Sequence, residues 1–168
     1  MRSVCIIAVC VGLAVTVFFI LPATMQKYTV VEDSMAPSVQ QSDWIYISKI
    51  IYRFVSPQRG DVLVFWPPQP EWGVLFIKRI IALPGESVEV RDGRVQVNNI
   101  ALDEPYVSES AKYVFPRLDV PPDSYFVLGD NRNNSVDSHE GWTLPRQNVV
   151  GKAWFIYWPP SRWQLVRN

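Results

Sequence analysis

Val74-Leu75-Phe76-Ile77-Lys78-Arg79-Ile80-Ile81-Ala82-Leu83-Pro84-Gly85-Glu86-Ser87-Val88-Glu89-Val90-Arg91-Asp92-Gly93-Arg94-Val95-Gln96-Val97 is the stretch that decides the fold. Val74 to Ala82 is a nearly continuous apolar run of strand length, rich in β-branched side chains. Leu83-Pro84-Gly85-Glu86 stops it. Val88 to Arg91 and Arg94 to Val97 then flank Asp92-Gly93, a dipeptide that accepts the left-handed dihedrals of a two-residue hairpin. A strand and a hairpin in succession predict antiparallel sheet.

The same grammar extends outward. Trp44 to Lys49 reads as a strand, and Arg59-Gly60-Asp61 as a turn leading into Val62 to Trp66, which Pro67-Pro68 ends. Tyr125 to Leu128 is a short strand delivering Gly129, and Val149 to Trp158 closes the domain. Asp103 to Pro122 is loop-rich and uninformative. The 14 prolines and few long periodic runs argue against a helical body. The expected fold is mainly β: a single N-terminal transmembrane helix followed by an antiparallel, barrel-like β domain.

The helix is read from Val4 to Leu21, which carries no charge. At about 1.5 Å per residue it spans roughly 27 Å, close to a hydrocarbon core of roughly 30 Å. A cleavable signal peptide would have a shorter apolar region and a small-residue cleavage site, for which Pro22-Ala23-Thr24 is a poor match. Residues 1–24 are therefore expected to be an uncleaved single-pass anchor and residues 25–168 an extracytoplasmic domain. Arg2 precedes the segment and Lys27 follows it, so the charge bias that orients it is small. Formal net charge is zero, which gives no argument for nucleic-acid binding. Cys5 and Cys10 both lie in the apolar segment, which excludes a disulfide framework or thiolate metal site in the body. No metal and no cofactor are expected.

Three stretches carry chemistry. Val31-Glu32-Asp33-Ser34-Met35-Ala36-Pro37-Ser38-Val39 presents a serine in a strand end or turn, because a proline pushes the residue before it toward extended geometry. Lys78 shares a strand face with Phe76, Ile80 and Ala82, while Arg79 points the other way with Ile77 and Ile81. Burial disfavours the ammonium, so a lysine in such a strand can lose its proton near neutrality. Gly129-Asp130-Asn131-Arg132-Asn133-Asn134-Ser135-Val136-Asp137-Ser138-His139 is dense in donors and acceptors directly after an apolar strand. That composition suits a polar surface turn, or a buried network propping up a site.

Ser34-Met35-x-Pro37, Arg59-Gly60-Asp61-Val62, Lys78-Arg79-Ile80-Ile81-x-Leu83-Pro84-Gly85 and Gly129-Asp130-Asn131-Arg132-x-Asn134-Ser135-x-Asp137-Ser138 resemble, in order, the motifs of the type I signal peptidases. The resemblance covers nearly the whole chain. Asn133 and His139 look most like the cyanobacterial and plastid thylakoid branch, in its compact form without a large inserted cap. It implies a membrane-bound serine endopeptidase that cuts exported preproteins after small-x-small sites such as Ala-x-Ala. Ser34 would be the nucleophile, Lys78 the general base and Ser135 the group orienting the amine. Asp130, Arg132 and Asp137 would form a supporting ion-pair network, and the Ser34 backbone N–H would help bind the oxyanion. Val31, Met35 and Ile77 would shape the substrate pockets. The implied partners are signal-peptide-bearing preproteins and the lipid bilayer, of a plasma or thylakoid membrane. Trp66, Trp72, Trp142, Trp154, Trp158 and Trp163 are candidates for a surface lying among headgroups, or for core.

The match departs at Glu32, where the family usually has Ser, Thr or Gly two residues before the nucleophile. An ionised carboxylate cannot donate to an oxyanion. This leaves open a weak or inactive membrane-tethered paralogue that holds signal peptides without cutting them. A Ser-His-Asp hydrolase using His139 and Asp137 is the enzymatic rival, although no serine sits in a nucleophile elbow.

Overall fold

The computed structural model describes residues 9, 10, 12 and 24–167. Val4 to Leu21, the expected anchor, lies almost wholly outside them, and among the described residues no helix is long and apolar enough to cross a membrane. The strands are β1 (Met25–Thr29), β2 (Trp44–Ser48), β3 (Val62–Phe65), β4 (Phe76–Ala82), β5 (Ser87–Arg91) and β6 (Arg94–Val97). After these come β7 (Ile100–Ala101), β8 (Phe115–Asp119), β9 (Ser124–Leu128), β10 (Leu144–Pro145), β11 (Val149–Trp158) and β12 (Gln164–Leu165).

All pairings are antiparallel. An eight-stranded sheet runs β1-β2-β11-β3-β4-β9-β10, with β12 against β11, and a four-stranded sheet runs β7-β6-β5-β8. The β5–β6 hairpin forms as its Asp92-Gly93 turn predicts, with φ of 51° and 74° at those residues. Five strands go beyond the sequence reading: β1, β8 and the two-residue strands β7, β10 and β12. β1 occupies what looks like a linker, and β8 lies inside the uninformative stretch 103–122.

β3, β4 and β9 sit in the middle of the large sheet and are buried almost throughout, which is why they read as continuous apolar runs rather than alternating ones. One face of this centre packs Leu63, Phe65, Ile80 and Val127 with Tyr125, Trp142 and Leu144. Elsewhere Met35 and Val39 pack on Ile45, Ile47, Val62, Val64 and Ile77. Ile81, Ala82, Phe126 and Leu128 join the large sheet to Val88, Val90, Val95, Val97 and Phe115 of the small one. The tryptophans divide accordingly. Trp142 is buried, and half-buried Trp72 stacks on Phe76 against the core. Trp154, Trp158 and Trp163 are exposed, together with Trp44, which packs against Trp158. Trp66 is exposed at the end of β3.

Candidate active site

After β1 the chain leaves the sheet through Val30, whose backbone is held by Asp43 and Ser42. It then tightens into a turn in which Ala36 N–H donates to Asp33 O and Val39 N–H to Met35 O. Met35 and Val39 drive this turn into the core, which places Ser34 at its inner side with 3% exposure. Lys78, 44 residues later on β4, is 1% exposed, and its Nζ lies 2.7 Å from Ser34 Oγ. The amine also sits 5.1 Å from the centre of the Phe76 ring, on the apolar side of the strand.

Burial pushes the Lys78 pKa down to about 8, against the carboxylates of Asp137, Glu32 and Asp130, which favour the ammonium. At pH 8 an unperturbed lysine would be roughly 0.3% neutral, whereas one with this pKa is about half neutral. A buried hydroxyl hydrogen-bonded to an amine that gives up its proton this readily is the arrangement an activated nucleophile requires.

The segment after β9 clamps the nucleophile turn. Asn131 N–H donates to Ser34 O at 3.1 Å, and Asn131 Nδ2 donates to Asp33 O at 3.2 Å. Gly129 N–H donates to Asp137 Oδ2 at 2.9 Å, and Arg132 Nε donates to Gly129 O at 3.0 Å. A Cβ on Gly129 would drive into Ser34 O and the Ser135 side chain, far inside van der Waals contact. Glycine is therefore required here for close approach, not for turn freedom. Gly129→Ala is expected to lower kcat/KM roughly 100-fold by displacing the nucleophile turn. Steady-state kinetics beside a thermal melt would check this, a loss confined to stability counting against it.

Asp130, Arg132 and Asp137 do surround the site, but these three do not pair with one another. Asp130 receives two bonds from Arg79, Nε to Oδ1 at 2.8 Å and Nη2 to Oδ2 at 2.7 Å. Arg132 forks onto Glu104, at 2.9 and 2.7 Å. Asp137 takes Gly129 N–H with one oxygen and meets His139 Nδ1 with the other at 2.7 Å. Arg79, Glu104 and Asn131 are thus structural members of the site that the sequence reading left without a role. In the sequence Arg79 stands out only as a motif residue facing away from Lys78, and nothing marks Glu104.

Ser135 Oγ is buried and makes no hydrogen bond among the described residues, so it does not hold the amine in this state. Met35 and Ile77 are buried in the core beneath the site, whereas Val31 is 64% exposed beside it. Glu32 is exposed and lines the same depression as Ser34 and Ser135. The Ser34 N–H donates no hydrogen bond among the described residues, which leaves it available to an oxyanion. His139, whose pKa is raised chiefly by its hydrogen bond to Asp137, stacks on Tyr113 with 4.3 Å between ring centres. The hydrogen bond of Ser34 Oγ goes to Lys78.

Residues 2–158 match the family described as signal peptidase, peptidase S26. A probable signal peptidase I-1 from Synechocystis is 46% identical over 137 residues, covering 78% of this chain and 70% of that protein. The chloroplastic thylakoidal processing peptidase 1 of Arabidopsis thaliana is 40% identical over 159 residues, 89% of this chain but 47% of that longer protein. The crystal structure of a signal peptidase I from Enterococcus faecalis superposes with a TM-score of 0.52 at 35% identity. The alignment covers 58% of this chain and 97% of that one. Its β architecture, and motifs that lie in the family's order along nearly the whole sequence, are therefore those of relatives: the chain belongs to the signal peptidase S26 family of peptidases.

Proposed function

We propose that this peptidase removes N-terminal signal peptides from exported preproteins, cutting after small-x-small sites with a Ser34–Lys78 dyad. The observation that carries the reading is the 2.7 Å contact between two buried side chains brought together from distant parts of the chain. Neutral Lys78 takes the Ser34 proton as Oγ attacks the carbonyl carbon of the scissile bond. The Ser34 N–H faces the oxyanion. The Lys78 ammonium then protonates the departing amine, leaving the signal peptide esterified to Ser34. Lys78, neutral again, takes a proton from water as the water oxygen attacks the ester, then passes that proton to the departing Ser34 Oγ and frees the serine. Ser135, a residue of the same depression whose buried hydroxyl is unbonded among the described residues, is assigned to steady the amine. Asp130, Arg132 and Asp137 act through the backbone of residues 129–131, each with its own partner. No metal and no cofactor enters the cycle.

The preprotein would bind as an added strand beside the backbone of residues 31–33, its alternate side chains entering shallow pockets. Val31 is the exposed wall of such a pocket, and buried Met35 and Ile77 set its floor. Residues 1–24 serve as the single-pass anchor, holding residues 25–168 on the extracytoplasmic or lumenal side of a plasma or thylakoid membrane. The exposed tryptophans of β2 and β11 fit a surface lying among headgroups.

The test is to incubate the detergent-solubilised chain with a preprotein bearing an Ala-x-Ala site and read the new N-terminus by mass spectrometry. Cleavage after the second Ala supports the proposal. A folded chain that leaves the preprotein intact is instead the tethered, signal-peptide-binding paralogue. Because the base must be neutral, kcat/KM should rise with pH through a single ionisation near the Lys78 pKa of about 8 and level off above it. A rate independent of pH between 6 and 9 would remove Lys78 from that role.

A further inference from the structure

Asn131 holds the nucleophile turn from one side, and the chain that follows Ser34 braces it from the other. Within residues 38–43, Val39 N–H donates to Met35 O at 3.0 Å and Ser42 N–H to Val30 O at 2.8 Å. Gln41 N–H donates to Asp33 Oδ1 at 2.9 Å, and Gln41 Nε2 to Val31 O at 3.0 Å. Asp43 closes the turn: its carbonyl accepts Val30 N–H at 2.9 Å and its Oδ2 accepts Gln40 N–H at 2.8 Å. The brace therefore bonds to residues 30, 31, 33 and 35, on both sides of the nucleophile. Gln40, Gln41 and Ser42 are exposed, so hydrogen bonds rather than apolar packing hold that part of it.

Asp43 is 1% exposed, and the guanidinium that meets it comes from 119 residues further on. β2 and β11 pair with Trp44 opposite Trp158, which brings the residues after β11 beside the residue before β2. There Pro160–Arg162 make a single 3₁₀ turn, in which Arg162 N–H donates to Pro159 O at 2.9 Å. From this turn Arg162 forks onto Asp43, Nε to Oδ1 at 2.8 Å and Nη2 to Oδ2 at 2.9 Å. Nη2 also reaches Ser38 O at 3.4 Å, so one side chain grips the brace at both ends. A planar fork on a carboxylate fixes angle as well as distance.

We infer that Arg162 is a positioning residue for the nucleophile: through Asp43 and the 38–43 turn it holds Ser34 Oγ against the Lys78 amine. The inference rests on the peptidase reading above. Arg162 bonds neither Ser34 nor Lys78, so its loss acts on geometry and not on proton transfer. Geometry is enough, because a misplacement of about 1 Å can cost roughly a hundredfold in rate.

With the detergent-solubilised full chain and an Ala-x-Ala preprotein, Arg162→Ala should lower kcat roughly tenfold and leave KM within about twofold. Arg162→Lys, which keeps the charge without the fork, should recover part of that loss. Because alanine also strands a buried carboxylate, Arg162→Met/Asp43→Asn, which removes both charges, separates geometry from stability. It should melt close to the wild type and still show the kcat defect. A wild-type kcat in the double variant, or a loss that falls on KM instead, overturns the inference and leaves the peptidase reading standing. Hydrogen exchange read by mass spectrometry needs no turnover. In Arg162→Lys and in the double variant, the amides of residues 33–43 should exchange faster while those of β4 and β9 do not change. That pattern upholds the inference and unaltered exchange at 33–43 overturns it, even where the wild type cuts nothing and the peptidase reading itself fails.

Discussion

Lys78→Ala should abolish preprotein cleavage, with a loss of about 10⁴-fold or more in kcat/KM, of the size seen when a serine protease loses its base. Two further substitutions separate a base from a mere cation. Lys78→Arg keeps the charge but replaces the amine with a guanidinium that does not deprotonate in proteins, so it should be as inactive as alanine. Lys78→Met keeps the stem and removes the polar head. Among the described residues Lys78 makes no ion pair, and its amine meets the Ser34 hydroxyl and the Phe76 ring, so the methionine variant should melt no lower than the wild type. Loss of activity in a chain of undiminished stability is a chemical loss. His139→Ala, in contrast, should keep much of the activity. Asp137 would lose its imidazole partner but still hold the Gly129 N–H. Retained activity in Lys78→Ala with abolition in His139→Ala would transfer the role to a Ser-His-Asp arrangement.

What could be read from the sequence followed from burial on both faces or from turn chemistry. β4 is apolar apart from Lys78 and Arg79 because β3 and β9 flank it and core covers both of its sides, so it stands out in any reading. The β5–β6 turn announces itself because few residues other than Asp, Asn and Gly tolerate its dihedrals. β1 is silent for the opposite reason. It is an edge strand reading Met-Gln-Lys-Tyr-Thr, with no buried residue to impose an alternation. β8 is hidden by Pro116, which an edge strand tolerates and a sequence reading takes as a break.

The candidate site divides in the same way. Ser34 and Lys78 could be named from motifs in a familiar order. The ion-pair partners could not, because complementary charge says nothing about pairing across long separations. Arg79 lies 51 residues from Asp130, and Glu104 lies in a stretch without periodicity. Nor could spacing show that Ser135 Oγ would make no bond, or that Gly129 would bring the segments of Ser34 and Ser135 into close approach.

Asp130→Ala should be the most destabilising single substitution near the site, lowering stability by about 3–5 kcal/mol. The pair it breaks has both side chains at or below 1% exposure and two parallel hydrogen bonds. Arg79 would keep its bonds to Gly60 O and Arg167 O and its stacking on Tyr106, but its charge would stay buried without a counter-ion. A domain of this size has a total stability of about 5–15 kcal/mol, so the loss is a large fraction of it. At about 2–4 °C per kcal/mol, the melting temperature should fall by roughly 6–20 °C. The exposed pair Arg117–Asp119, at 3.6 Å, provides the control: Asp119→Ala should cost less than about 1 kcal/mol. The double variant Arg79→Met/Asp130→Leu tests the cause, since replacing both charges with apolar groups removes the stranded guanidinium. It should recover much of the stability lost by Asp130→Ala. A double variant no more stable than the single one would mean that the pair acts through its bonds to Gly60 and Arg167 rather than through charge. Activity should follow stability only in part. Asp130 sits between Gly129, which packs closely on Ser34 O, and Asn131, whose N–H donates to it, so even a refolded double variant is expected to hold the nucleophile less firmly than the natural pair does.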